Sequence, residues 1–149
     1  MDVMAVPRFE RFFRTVAGLD VDKNDLKRYS DFVQDKLYDL LLLGQARAKA
    51  RRSDVIEPMD LPITKGLQER VHEFRRLDQE IELAPILAHL ATRPLLDPGL
   101  SEETEAQLPA IAGGLSVALA RAFKIIDPKL PNPRTEHWER ARQIFDLLL

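Results

Sequence analysis

With 149 residues, 45% of them hydrophobic and 31% charged, the chain is long enough for one cored domain and too apolar to default to disorder. It has no cysteine, which excludes a disulfide scaffold, a thiolate zinc site and a cysteine nucleophile, and which fits a cytoplasmic setting. Its 22 basic and 24 acidic residues leave a net charge of −2, a poor basis for tight sequence-independent DNA binding, which must neutralise several phosphates at once.

The chain reads as helices separated by proline, glycine and aspartate. Pro7 suits a first helical turn. Phe9, Phe12, Phe13 and Val16 then fall at i, i+3, i+4 and i+7 as one apolar stripe, with Arg8, Arg11 and Arg14 off it. Gly18 is placed to close this helix. Asp22 is placed to cap the next one, which runs without proline over residues 23–50 and spans roughly 40 Å. Leu26, Tyr29, Val33, Leu37, Leu40, Leu41 and Gly44 form its apolar face. From Leu40 to Leu43 it is apolar all round, which predicts burial on more than one side. At four residues that run is far short of a membrane span. Val55 and Ile56 suit an extended segment of two residues at most. Asp60, ahead of Leu61-Pro62, is expected to cap a third helix carrying Leu67, Val71, Phe74, Leu77 and Ile81.

The remaining residues repeat this outline of element lengths. A short helix holds Leu83, Ile86, Leu87 and Leu90, with Pro85 in its first turn, and a loop follows from Arg93 to Gly99. Ser101 caps a second long helix with the face Leu108, Ile111, Leu115, Leu119, Ala122 and Ile126. Gly113-Gly114 near its centre loses about 1 kcal/mol per glycine in helix propensity, which points to a close helix approach, expected near Leu40 to Gly44. Asn132 is expected to cap a last helix with the face Trp138, Ala141, Phe145 and Leu148.

Specific segments carry a resemblance. PRFERFFRTVAGLDVDKNDLKRYSDF resembles the first helix, first loop and start of the long helix in archaeal histones, and ARRSDVIEPMDL resembles their second loop. More broadly, LDVDKNDLKRYSDF, KLYDLLL, EPMDLPITKGLQE, EFRRLD and the ending FDLLL resemble an uncharacterised bacterial family of single chains with two histone folds. The resemblance implies an all-α histone-fold pseudodimer. It would be one compact unit over residues 1–149, with halves 1–80 and 81–149 clasped head to tail. It also implies that Arg52 pairs with Asp60.

Histones contact DNA through their first helices and the loops flanking their long helices. The resemblance therefore marks Arg8, Arg11, Arg14, Lys49, Arg51 and Arg52 as candidate contacts for DNA or an acidic partner. Charge agrees with a one-sided patch: residues 1–76 hold 15 basic against 13 acidic groups, and residues 77–149 hold 7 against 11. The competing reading is a solvated helix face, with Lys49, Arg51 and Arg52 complementing the negative end of their own helix. Asp60, Gly44, Gly113 and Gly114 are expected to be structural. His72, His89 and His137 show no metal-ligand spacing, and no phosphate-loop, dinucleotide or serine-hydrolase motif occurs. The opening MDVMAVPRFERFF lacks the pattern of a signal peptide. The expected function is a non-enzymatic interaction or assembly module that binds a protein partner or itself. Weak DNA binding at the nucleoid is the alternative. No cofactor, metal, small-molecule substrate or membrane is implied.

Overall fold

The computed structural model describes residues 5–90 and 99–149; Arg93 and most of the loop around it lie outside them. Among the described residues the helices are α1 (Ala5–Ala17), α2 (Lys23–Ala50), α3 (Lys65–Ile81), α4 (Ala84–Leu90), α5 (Glu102–Ile126) and α6 (Thr135–Leu148). Two short strands, β1 (Val55–Ile56) and β2 (Gly99–Leu100), complete a mainly helical architecture.

Local chemistry explains most boundaries. Gly18 takes a positive φ of 62° where α1 ends, a conformation that a side chain disfavours. Asp22 caps α2: its Oδ1 accepts from the Asn24 N–H at 2.8 Å, while Asp25 Oδ2 accepts from the Asp22 N–H at 3.2 Å. The other Asp25 oxygen accepts from the Trp138 indole at 3.3 Å, which ties this cap to α6. Burial pushes the Asp25 carboxyl above its ordinary pKa. Ser101 caps α5, accepting from the Thr104 N–H at 3.1 Å.

Two caps differ from expectation. Asp60 does not open α3. It closes a 3-10 turn over Pro58–Asp60, because its carboxylate is already claimed by Arg51 and by the Glu57 N–H, and Thr64 caps α3 instead. Asn132 does not cap α6. The helix starts at Thr135, where His137 Nδ1 accepts from the Arg134 N–H at 2.9 Å.

The two stretches clasp through their loops. β1, which follows α2, pairs in parallel with β2, which precedes α5, in the register Val55–Gly99 and Ile56–Leu100. Thr104 Oγ1 reinforces this joint by donating to the Ile56 carbonyl at 2.8 Å. At the opposite end, the loop before α2 meets the loop after α5, with the Asp20 N–H donating to the Pro131 carbonyl at 2.7 Å. A single cluster of buried side chains runs from Phe9 to Phe145 and draws on both stretches. The Phe9 and Tyr29 rings meet in a tilted contact at 5.0 Å between centroids. Buried Tyr29 donates to Ser116 Oγ at 2.6 Å, because the Ser116 proton is committed to the Ala112 carbonyl at 2.7 Å. Burial raises the pKa of the Tyr29 phenol, so the hydroxyl remains a donor.

α5 is the central helix. Residues 111–117 are buried without interruption. By length and composition alone it is apolar enough to cross a membrane, with a mean hydropathy of 1.4 over 18 residues. Here it packs against the other helices. Unbroken apolar runs in the sequence do not reveal it, because Gly113, Gly114 and Ser116 interrupt the sequence without interrupting the burial.

Gly113 and Gly114 do sit at a close approach, but their partner is α3 and not the Leu40–Gly44 stretch. A methyl on Gly113 would overlap the Phe74 ring, and one on Gly114 would lie 2.6 Å from Val71 Cγ2 and 2.9 Å from the Val71 nitrogen. Gly44 instead faces Leu61 and Ile56, so it seats the turn and strand that follow α2. Lys36, 2% exposed, is satisfied by Asp39 at 3.2 Å and by Asp146, which fastens α6 along α2.

The glycine geometry fixes the sign of two substitutions. Gly114→Ala must displace Val71 backbone, an overpacking cost of about 1–3 kcal/mol that exceeds the helix-propensity gain of about 1 kcal/mol. Gly66, near the start of α3, has open space where a methyl would go. Thermal unfolding of the two variants should therefore place Gly114→Ala below the parent and Gly66→Ala at or above it.

Candidate interaction surface

The six basic candidates do not converge. Arg8 Nη1 donates to the Glu82 carbonyl and Arg11 Nη1 to the Glu80 carbonyl, both at 3.2 Å. Those carbonyls lie at the C-terminal end of α3, which has no basic residue in its own last turn. The arginines of α1 thus supply the positive charge that this helix end favours. Glu82 closes α3 in the left-handed region at φ 58°. Its carboxylate is 3.8 Å from Arg8. Arg14 lies 3.9 Å from Asp20.

The second group sits at the far end of α2. Twenty residues separate Tyr29, beside α1, from Lys49, which is about 30 Å along the axis. Here the expected Arg52–Asp60 pair is replaced by Arg51–Asp60. Arg51 Nε and Nη2 reach the two carboxylate oxygens at 2.8 and 2.5 Å, the bidentate geometry that makes such pairs strong. Arg52 occupies the left-handed region at φ 58° just after α2, which turns the chain away and leaves the preceding arginine to make the contact. The Arg51 hydrogen bond holds the Asp60 carboxyl below its ordinary pKa. Lys49 and Arg52 are exposed, and neither forms an ion pair among the described residues.

A third surface has no counterpart among the sequence candidates. α3, α5 and α6 enclose an apolar groove of about 640 Å³, lined by Leu67, Leu115, Ala118 and Ala122. Its edges are unusually bare for large apolar side chains: Ile125 is 81% and Leu148 74% exposed. The spacing that assigns Leu148 to the buried face of the last helix is thus overturned. Trp138, Ala141 and Phe145 are buried, but Leu148 is not, because nothing among the described residues packs over it. Leu42 and Leu43 are likewise exposed, so the all-apolar middle of α2 is buried only through Leu40 and Leu41. Arg70 and Arg121 flank the groove and share Glu73, with Arg70 also near Glu69 at 3.5 Å. A signal was present in sequence: three consecutive leucines close a helix that can bury only one side.

Of the three histidines, His137 serves the backbone. His137 is buried and holds the start of α6. Among the described residues no group of three or more histidines and carboxylates is arranged to hold a metal ion.

Acid titration should expose the Arg51–Asp60 clamp. A carboxyl with a depressed pKa contributes stability above its ordinary value, near 3.8, and loses it as pH falls through the folded value. Asp60→Asn should lower the urea midpoint at pH 7. The gap to the parent should close in acid, where Asp60 is protonated in both states. A gap that is equal at both pH values would contradict the assignment.

Comparison with known proteins follows the same architecture. The sequence matches the family described as a domain of unknown function (DUF1931) over residues 9–146. An Aquifex aeolicus protein described as uncharacterized is 25% identical over 139 residues, which cover 93% of this chain and 81% of that one. A crystal structure of a Thermus thermophilus protein is 55% identical, has a TM-score of 0.85 and matches over 96% of this chain and 97% of its own. A crystal structure of an Aquifex aeolicus protein, 23% identical, shares the fold with a TM-score of 0.85 over 100% of this chain and 99% of its own. The chain belongs to the DUF1931 family.

Proposed function

We propose that the chain is a histone-like pseudodimer that acts as a non-enzymatic interaction and assembly module. The order short, long and medium helix occurs twice, and each loop of one triplet meets the opposite loop of the other, as in a head-to-tail histone pair. The observation that carries the functional reading is the exposed apolar groove between α3, α5 and α6. Monomeric proteins rarely leave such side chains bare unless something docks there. The basic residues support the same choice, since Arg8, Arg11 and Arg51 spend donors inside the protein. By this reading the module works in the cytoplasm and needs no cofactor.

The second reading is weak DNA binding, favoured by Lys49 and Arg52, which are exposed beside the β1–β2 joint. Two phosphate contacts give a slope of about −2 for log affinity against log salt.

Two measurements separate these readings. Capture from a nuclease-treated lysate of the source organism should retain a partner with the parent protein and lose it with Ile125→Asp. Duplex DNA titrated at two salt concentrations should show a shallow slope at most, removed by Lys49→Ala with Arg52→Ala. A slope steeper than about −6 would place DNA binding first and require many more cations than those two.

A further inference from the structure

The groove between α3, α5 and α6 lies beside its own plug. The last turn of α6 leaves Leu148 74% exposed at the rim of the concavity lined by Leu67, Leu115, Ala118 and Ala122. A two-fold interface needs one patch that is complementary to itself, and a knob adjoining a hole satisfies that requirement. An unrelated partner would need only the hole.

Charge points the same way. The last turn of α6 contains no basic residue, so its free carbonyls keep the negative end of the helix dipole unopposed. Asp146 there is already committed to Lys36. The groove is flanked by Arg70 and Arg121, whose side chains stay 29% and 48% exposed while they share Glu73. A negative helix end and a basic rim therefore sit on one face, with the apolar contact between them.

We propose that this face binds a second copy of the chain, each copy seating its α6 end, with Leu148, in the other's groove beside Arg70 and Arg121. The proposal rests on the interaction-module reading and names the partner of that surface. Ile125, on the last turn of α5, would be covered on both copies by the same docking.

Sedimentation velocity of the purified full chain, from low to high micromolar, tests this directly. The parent should shift from one to two chains in mass. Ile125→Asp and Leu148→Asp, on different helices and both at exposed positions, should each weaken dimerisation by at least about 30-fold with unchanged circular dichroism. Met59→Asp, an exposed apolar position that does not line the groove, should leave the dimer intact. A parent that stays monomeric at high micromolar overturns the proposal, as does a dimer that both groove variants leave unaffected. If the parent is monomeric while lysate capture still depends on Ile125, the interaction reading stands and the second copy does not. If dimers form through the groove and no lysate partner is retained, self-association is the whole of the interaction.

Discussion

The fit of α3 into the glycine notch of α5 is the contact on which the rest of the molecule depends. Gly113 and Gly114 remove two side chains where Phe74 and Val71 need space, and the helices approach more closely than any other residue pair there would allow. Burying Phe74 and Val71 is worth about 1.5–3 kcal/mol each, which together outweighs the roughly 2 kcal/mol of helix propensity that the two glycines forgo. This approach fixes the distance between residues 65–81 and 102–126, and so sets where the ends of α3 and α5 lie. The groove near their other ends is the space left between helices whose separation is decided at the notch.

Polar contacts then orient what the notch brings together. Tyr29 and Ser116 hydrogen-bond inside the core, Asp25 receives the Trp138 indole, and Lys36 reaches Asp146. Each of these links α2 to an element beyond residue 100. Buried polar groups tolerate little displacement once paired, so they select one arrangement among those that apolar packing alone would permit. The Arg51–Asp60 clamp works within the first stretch, holding the turn that positions β1 for β2.

Helix identity and most helix starts can be read from the sequence, because period, glycine and capping chemistry are local. Asp22, Ser101 and Gly18 act where local rules place them. Arg51 and Arg52 show where such rules stop: the two residues are chemically alike, and a backbone dihedral decides which one reaches Asp60. Leu148 shows a second limit. Its spacing matches the buried face of α6, but burial also requires a neighbour, and none among the described residues packs over Leu148. The partner of Gly113 is misplaced for a related reason, since a glycine pair announces a close approach without saying which helix arrives. The arginines of α1 resemble a free basic face because sequence does not reveal that the end of α3 lies beside them.

The loop joints and the notch all connect residues before position 81 to residues from 99 onward. During synthesis this has a cost in time. When Ile81 has left the ribosome, Val71 and Phe74 have no surface to meet, since Gly113 is about thirty residues further along the message. At ordinary elongation rates that gap lasts roughly 2–6 s. Through that interval the emerging chain holds an amphipathic helix and a long leucine-rich one with their apolar sides open. A synonymous codon change that slows translation between residues 82 and 113 would lengthen that exposure without altering a single atom of the finished protein.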